Sequence, residues 1–251
     1  MFIKSKYVLI LLLVPVLIDA QSPALPYNNS PVNQTQDSTP QFSLKKVALP
    51  ASLILAGSLM SGSRFEKSLL TDIRKSVGND FQFKIDNYLQ YAPIVEMYTA
   101  DIAGVKAKNH WFDQTKNLFI SDLATGTLVL FLKKITNKTR PNGAQYSFPS
   151  GHTSLAFSNA GVLYQEYRDT SPILAYSGFG MAITTGAFRM FNNKHWPSDV
   201  IAGAGIGILV SQLVCHLEPL KNWNPFKNTK EVSCVPIIDE KEYGIYARIA
   251  L

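Results

Sequence analysis

The chain has 251 residues, of which 46% are hydrophobic and 17% are charged, and its formal net charge is +6. This length predicts one domain of ordinary size, and the composition allows a large core or a membrane-facing surface. The lysines and arginines are dispersed and do not alternate with aromatic residues in a basic run, which argues against nucleic-acid binding. A mildly basic surface instead suits an anionic membrane or anionic substrates.

The N-terminal part has the composition of an exported segment followed by a linker. Residues 1–20 are predicted to be a signal peptide, because Lys4 and Lys6 precede the unbroken apolar run 7–18. The alternative is an uncleaved anchor helix, although the run is short for a complete span. In both cases the following residues emerge outside the cytoplasm. Residues 21–43 are rich in Pro, Asn, Gln, Ser and Thr, which predicts a flexible linker.

Apolar segments of helical length dominate residues 44–220, which predicts an all-α helical bundle of about six helices. The segment 63–77 is amphipathic, with Phe65 and Leu70 on its apolar face and Glu66 among the charged residues around that face. The segments lie at 47–60, 63–77, 88–105, 117–132, 150–167, 172–188 and 198–217.

Two long uncharged runs, 172–188 and 200–214, are near the lower length limit for a membrane span. The three apolar segments before Lys133 are weaker candidates for a membrane span, because an acidic residue in a helix that faces lipid is costly. If residue 21 and the block that starts at Lys133 both lie outside the cytoplasm, an even number of those three segments must cross the membrane. Zero or two of them are therefore membrane spans. We favour a membrane-embedded bundle over a periplasmic bundle resting against the membrane, since a soluble protein has little use for such uncharged runs.

The C-terminal tail, residues 221–251, contains two short mixed runs around 239–241, which predicts a small hairpin or an irregular tail. The chain has two cysteines, Cys215 and Cys234. In an oxidising compartment they could bridge the last helix to the tail, or they could remain two separate thiols. The sequence leaves both possibilities open.

Chemistry-bearing residues cluster in three short blocks between residues 133 and 199, each at a helix boundary. The first block has Lys133 at a helix end and Arg140 before Pro141 in a loop. The planar fork of an arginine holds two phosphate oxygens at once, and a lysine adds a point charge. Seen alone, this block is also typical of an ordinary solvated loop.

The second block opens a helix at residues 149–152. Ser150 can cap that helix, and Gly151 has no side chain to obstruct a close ligand. The first backbone N–H groups of a helix have no partners within it, so they form an oxyanion site beside His152. For this block alone, the alternative is a plain helix cap followed by a surface histidine.

The third block places His195 and Asp199 four residues apart, on one side of a forming helix whose first turn accepts Pro197. Asp199 can then accept a hydrogen bond from one ring nitrogen of His195, which leaves the lone pair of the other nitrogen free for attack. Arg189 ends the preceding helix and can return to the same site across the loop 190–194. The alternative is a capping ion pair between His195 and Asp199, with Arg189 in solvent.

The three blocks contain two of the four histidines of the chain. Antiparallel neighbouring helices bring alternate boundaries to one end of a bundle, so we expect a single anion-sized pocket there.

This combination resembles the three-part motif of the type 2 phosphatidic acid phosphatase superfamily, which includes bacterial acid phosphatases and vanadium haloperoxidases. One departure is Phe188, where the family usually has serine, which puts a supporting hydrogen bond in doubt. The stretches YLQYAP, FPSGHT and RMFNNKHWPSD are similar to envelope phosphatases of lipid A type. The residues that match the motif are Lys133, Arg140, Pro141, Pro149, Ser150, Gly151, His152, Arg189, His195 and Asp199.

The resemblance implies hydrolysis of a phosphate ester without a cofactor or a metal, because three cations would do what Mg²⁺ does elsewhere. His195 would attack phosphorus to form a phosphohistidine, Asp199 would orient it, and His152 would protonate the leaving group and then activate water. The groups implied to hold the phosphate are those of Lys133, Arg140, Ser150, Gly151 and Arg189.

The apolar helices favour a lipid phosphate as substrate, with lipid A preferred over undecaprenyl pyrophosphate or phosphatidylglycerophosphate. A general periplasmic acid phosphatase is the next hypothesis. The implied location is the bacterial cell envelope, either the inner membrane with the site facing the periplasm or the periplasm itself.

Three other functions are compatible with parts of the pattern. His152, His195 and Asp199 could bind a metal, but the neighbouring cations would repel a divalent ion. A haloperoxidase would use the same scaffold with bound vanadate. A non-enzymatic envelope protein could capture anionic lipid headgroups, but capture needs only the cations and leaves His195 and Asp199 without a role.

Overall fold

The computed structural model of the protein describes residues 44–78, 80–217, 232–239 and 242–249. The signal peptide expected at 1–20 and the linker expected at 21–43 lie outside the described residues. The same holds for most of the connection between the last helix and the C-terminal strands.

The described residues form eight helices followed by two strands, which confirms the all-α bundle with a C-terminal hairpin. Eight helices exceed the predicted number of about six, because all seven apolar segments form helices and the segment 88–105 is divided in two. Pro93 lies in the first turn of the second part, where a missing N–H is tolerated, whereas a helix interior would not accept it. The helices are α1 Leu44–Met60, α2 Arg64–Val77, α3 Asp86–Leu89, α4 Ala92–Ile102, α5 Trp111–Thr136, α6 Gly151–Tyr167, α7 Pro172–Phe191 and α8 Pro197–His216.

Helix α8 lies in the middle of the bundle, packed against α1 and α6. Small residues permit this close approach, because a Cβ on Gly207 would lie 2.2 Å from the carbonyl oxygen of Ser154. On the other side, a Cβ on Gly205 would lie 2.6 Å from the carbonyl oxygen of Pro50. Side chains at these positions would push α8 away from both neighbours, and with it the residues of its first turn.

Helix caps fix where α5 ends and where α6 begins, at the end of the bundle that carries the predicted site residues. Helix α5 stops at Asn137, whose left-handed backbone (φ 42°) turns the chain back toward α6. Helix α6 starts after Ser150, whose side chain accepts a hydrogen bond from the Thr153 N–H. These two caps fix the ends of the loop that carries Arg140.

The apolar core fills the other end and the centre of the bundle. One cluster joins α4, α6 and α7 through the fully buried side chains of Met97, Leu163 and Ala175. A second cluster joins α5 to α8 through Val129 and Ile206. The helix ends that carry the predicted site residues are therefore held by packing on both sides.

The orientation of α2 differs from the prediction. Phe65, expected on the buried face, is 65% exposed, and Glu66, expected on the polar face, is 1% exposed. Leu70 is buried beside Glu66, one helical turn further on. Glu66 can turn inward because its carboxylate accepts hydrogen bonds from the Lys138 ammonium, the Gly62 N–H and the Ser198 hydroxyl.

Among the described helices, α8 is long and apolar enough to cross a membrane, although 67% of its apolar window is buried inside the bundle. Helix α7, with its uncharged run 172–188, does not pass the same test of length and hydropathy within the described part of the chain.

The C-terminal strands β1, Val232–Asp239, and β2, Glu242–Ile249, pair antiparallel from Val232 opposite Ile249 to Asp239 opposite Glu242. Cys215 is half-buried near the end of α8. The side chain of Cys234 lies outside the described side chains, so the possible disulfide stays a prediction.

Candidate active site

Alternate helix boundaries meet at one end of the bundle and bring the three blocks together. The side chain of Lys133 interacts electrostatically with Arg140, Asp199 and Arg189, and that of His152 interacts with all three cations. His195 interacts with Lys133 and Arg189 as well as with Asp199. Groups from four helix ends and two loops therefore share one small volume.

The innermost pair is His195 and Asp199. His195 Nδ1 lies 3.3 Å from Asp199 Oδ2, and these residues are 1% and 0% exposed. The same carboxylate oxygen accepts the Trp196 N–H at 2.9 Å and the Ser147 hydroxyl. An ionised carboxylate only accepts hydrogen bonds, so His195 donates from Nδ1 and its Nε2 keeps a free lone pair.

Burial lowers the pKa of His195 to about 3, even though its hydrogen bond to Asp199 acts in the opposite direction. Desolvation disfavours the imidazolium, and the cations of Lys133 and Arg189 disfavour it further. The ring is therefore neutral over the physiological pH range, which is the state that a nucleophile needs.

Two guanidinium groups present buried N–H donors to the pocket. Within the described part of the chain, Nε of Arg140 and Nε of Arg189 are buried without a hydrogen-bond partner. Arg189 is held from behind by Asp86, whose Oδ2 accepts from Nη1 at 2.6 Å. Burial and the neighbouring Arg189 lower the pKa of Arg140, so the two cations destabilise each other until an anion lies between them.

The Lys133 ammonium is fixed by the loop that follows α5. It donates to the backbone carbonyl oxygens of Tyr146 at 2.6 Å and of Ser147 at 3.1 Å. Gly151 lies directly beside it, because a Cβ on Gly151 would be 3.9 Å from Lys133 Cε. The start of α6 therefore lies next to Lys133.

The Ser150 hydroxyl, predicted to hold the phosphate, is fully buried in the cap of α6. It pairs with Thr153 Oγ1 at 2.9 Å, and the Ser150 N–H donates to the backbone oxygen of Asp199 at 3.0 Å. The structure thus assigns Ser150 a role in joining the first turns of α6 and α8.

His152 lies at the half-buried mouth of the pocket. Its Nε2 is 3.1 Å from Oδ1 of Asn87, a residue of the short helix α3. Burial, followed by the charge of Arg189, lowers the pKa of His152 to about 4. If the Asn87 carbonyl accepts from Nε2–H, Nδ1 is the nitrogen of His152 that exchanges a proton with a ligand.

Four residues that support the site were missed at the level of sequence: Glu66, Asp86, Asn87 and Lys138. Lys138 lies inside the first block, and Ser63 with Glu66 has the spacing of a capping box, so both had a local signal. No spacing rule relates Asp86 or Asn87 to histidines and arginines more than 60 residues away.

Phe188 packs in an aromatic cluster with Phe81, Phe83 and Phe191. Its ring makes no hydrogen bond, so it does not replace the serine of the motif. Asn192 lies beside Asp86, with Nδ2 3.2 Å from Oδ1, and completes the support of that carboxylate.

A family model described as "PAP2 superfamily" matches residues 114–223, the segment that carries all three blocks. This segment, a little under half of the chain, is therefore similar to the PAP2 superfamily. The resemblance stated from the motif is confirmed, and Glu66, Asp86 and Asn87 lie outside the PAP2 segment.

Curated relatives of the PAP2 segment come from two bacteria. The chain is 34% identical over 146 residues to "Lipid A 1-phosphatase" of Porphyromonas gingivalis, which covers 57% of this chain and 33% of that protein. It is 31% identical over 83 residues to "Bacitracin transport permease protein BcrC" of Bacillus licheniformis, covering 33% of this chain and 39% of that protein. The chain thus spans little more than a third of the length of these relatives.

Solved structures with a similar arrangement include two bacterial proteins. Aquifex aeolicus LpxE is 21% identical with a TM-score of 0.48, covering 63% of this chain and 99% of that chain. A transmembrane PAP2 type phosphatidylglycerolphosphate phosphatase from Bacillus subtilis is 17% identical with a TM-score of 0.45, covering 66% and 94%.

Proposed function

We propose that this protein is a metal-independent phosphatase that removes a phosphate from a lipid-anchored substrate through a phosphohistidine. One observation carries the proposal: a neutral buried histidine, oriented by Asp199, lies in the same pocket as two guanidinium groups with unpaired buried N–H donors. An oriented nucleophile beside an anion site is what phosphoryl transfer requires.

In the first step, Nε2 of His195 attacks phosphorus. The P–N bond forms as the P–O bond to the substrate alkoxide breaks. A bound phosphate anion offsets the cations that lower the pKa of His152, so His152 is protonated in the complex and donates a proton to the leaving oxygen. Asp199 balances the positive charge that develops on the His195 ring. Arg140 and Arg189 hold the equatorial oxygens, where charge spreads in the transition state.

In the second step, water replaces the alcohol. His152, now neutral, takes a proton from a water molecule that attacks phosphorus on the side the alcohol has left. The P–N bond breaks, its electron pair returns to Nε2, and inorganic phosphate leaves. Both histidines return to their starting states.

The cations of the pocket supply the charge that a metal ion supplies in other phosphatases. Lys133, Arg140 and Arg189 interact with one another across the pocket, so a phosphate dianion relieves repulsion already present in the fold. A divalent cation would increase that repulsion. We therefore expect activity in the presence of a chelator.

A lipid-anchored substrate is supported by the outer surface of the bundle. Large apolar side chains are exposed on α1, α5 and α7, among them Leu59 at 75%, Phe119 at 67% and Ile173 at 73%. Exposed apolar side chains of this size suit contact with lipid. The polar end would then lie at the membrane surface, where a lipid headgroup reaches it.

Lipid A is the substrate we favour, because a relative at 34% identity bears the name lipid A 1-phosphatase. The exported N-terminus expected from the sequence orients the polar end toward the periplasm. A general acid phosphatase would instead act equally well on small soluble esters.

The test is phosphate release from purified lipid A and from a soluble aryl phosphate by the full chain in detergent with excess chelator. We expect the wild type to release phosphate from lipid A preferentially, and His195→Ala to lose at least about 10³-fold in rate, as for other covalent nucleophiles. His110→Asn is the matched control, because His110 is exposed and caps α5 away from the pocket.

Two results would contradict the proposal. One is hydrolysis that survives His195→Ala, and the other is hydrolysis that a chelator abolishes. Equal rates on both substrates would reject lipid specificity while leaving the phosphatase itself intact.

A further inference from the structure

Behind the nucleophile lies a second charged cluster, made by Glu66, Lys138, Ser198 and Asp199. Lys138 Nζ donates to Glu66 Oε1 at 2.8 Å, to Ser198 Oγ at 2.8 Å and to Asp199 Oδ1 at 3.0 Å. Glu66 is 1% exposed and Asp199 is 0% exposed, whereas the Lys138 side chain is 16% exposed. All three donors of the ammonium are used, so its position is fixed.

The two oxygens of Asp199 have different partners. Oδ1 faces Lys138, and Oδ2 faces the Nδ1 of His195. The cation thus sits on the opposite side of the carboxylate from the imidazole. A change in the charge around Lys138 therefore alters the electrostatic potential at His195, because the Asp199 carboxylate contacts both side chains.

The charges of the cluster have to be counted together. Asp199 and Lys138 alone would form a neutral pair, and a neutral pair would do little to stabilise a positive charge on His195. Glu66 pairs with Lys138 from the other side and restores a net charge of −1 to the three groups. That negative charge is the one that the phosphohistidine step needs beside the ring.

We propose that Glu66 is a positioning residue for the reaction, which acts through Lys138 to keep Asp199 available as the counter-charge of His195. The inference rests on the proposed function, because it names a further residue for the same site. Glu66 comes from helix α2, outside the PAP2 segment. A chain with the full motif but without this carboxylate would have a less effective nucleophile.

A purely structural role would look different. Glu66 also accepts the Gly62 N–H at 2.6 Å and belongs to the cap of α2, so its loss will reduce stability. Glu166 offers the comparison: it is 1% exposed, accepts from Asn109, and lies at the far end of α6. Removal of its charge should reduce stability without affecting the nucleophile.

The experiment compares Glu66→Gln, Glu66→Asp and the double variant Glu66→Gln/Lys138→Met with wild type and Glu166→Gln. Glu66→Gln leaves Lys138 unbalanced, so we expect kcat to fall about 10- to 100-fold, the range for groups that orient a reactive side chain from behind. KM should not rise, because the pocket becomes more positive. Glu66→Asp keeps the charge and should retain kcat within about three-fold.

The double variant is the decisive one. It removes the unbalanced cation together with the carboxylate and returns the net charge to −1 on Asp199. We expect its kcat to exceed that of Glu66→Gln even where its melting temperature is lower. Stability alone would order the variants the opposite way.

Phosphorylation by phosphoramidate provides a second readout that does not depend on turnover. Phosphoramidate transfers its phosphoryl group to a histidine nitrogen with release of ammonia, and the product is followed by ³¹P NMR. We expect His195 to react more slowly in Glu66→Gln and to recover in the double variant.

The outcomes separate the inference from the function. Wild-type rates in Glu66→Gln with both reagents overturn the inference and leave the phosphatase standing. A double variant slower than Glu66→Gln also overturns it and assigns Glu66 to the fold alone. If the wild type hydrolyses no ester but shows the phosphoramidate pattern, the proposed function fails while the role of Glu66 is upheld. If Glu66→Gln does not fold, Glu66→Asp and the double variant carry the comparison.

Discussion

The PAP2 segment, residues 114–223, and the N-terminal region, residues 44–104, contribute to the pocket in different ways. The first carries the groups that would touch phosphate, from Lys133 to His195. The second carries groups that touch those groups: Glu66 reaches Lys138, Asp86 reaches Arg189, and Asn87 reaches His152.

The reactive groups thus come from the PAP2 segment, and the groups that position them come from the N-terminal region. Cations and imidazoles in one small volume repel one another, as the lowered pKa values of Arg140, His152 and His195 indicate. Two carboxylates and an amide from outside the motif offset that repulsion and fix the rings and the guanidinium. A PAP2 motif alone therefore specifies the chemistry, and its surroundings set the geometry and the charge.

Among substitutions in the N-terminal region, we expect Asp86→Asn to have the largest effect on activity. Arg189 would lose its buried counter-charge, and its guanidinium would no longer be aimed at the phosphate. We expect kcat/KM to fall on the order of 10²-fold, as for loss of one oxyanion donor, together with a lower melting temperature.

The matched control is Asp72→Asn, since Asp72 is exposed on α2. If Asp86→Asn stays within about three-fold of wild type, the N-terminal region does not control Arg189 and the division fails.

A smaller effect is expected at Asn87, where two substitutions act in opposite directions. Asn87→Asp places a carboxylate against Nε2 of His152 and should raise its pKa, so the alkaline limb of kcat moves upward by about one pH unit. Asn87→Ala removes the carbonyl that stabilises the imidazolium and should move that limb downward. The pH profile of kcat measures both.

Tyr88→Phe is the control for Asn87, because Tyr88 is the next residue of α3 and is 77% exposed. Equal shifts in both Asn87 variants would mean that this contact only anchors α3. Opposite shifts would identify Asn87 as the residue that orients His152.

The smallest effect concerns stability and lies within the PAP2 segment. The pKa of His195 is lowered from 6.5 to about 3, so the folded chain binds fewer protons than the unfolded chain between these values. Stability therefore falls as pH decreases below about 6.5, by at most about 1.4 kcal/mol per pH unit. His195→Asn should have a smaller loss of melting temperature between pH 7 and pH 5. Parallel curves for the two proteins would show that His195 is not buried as a neutral ring.

Much of the site was readable from the sequence because covalent spacing carries the signal. His195 lies two residues before α8 and Asp199 lies in its first turn, so their contact follows from the four-residue spacing once Pro197 marks the start of the helix. The order of apolar segments placed Lys133, His152 and Arg189 at helix ends. The same reasoning misplaced Glu66, because amphipathic periodicity assigns charge to solvent and does not foresee a buried counter-charge.

By itself the sequence determined the helical class, the three blocks and the similarity to the PAP2 superfamily, since each depends on residues close together in the chain. Only the tertiary structure decided that Glu66, Asp86 and Asn87 reach Lys138, Arg189 and His152, respectively. The physical reason is that a buried charge or ring takes its partner from whichever helix packs nearest. That neighbour is set by close packing, such as the glycine contacts of α8, and by no spacing along the chain.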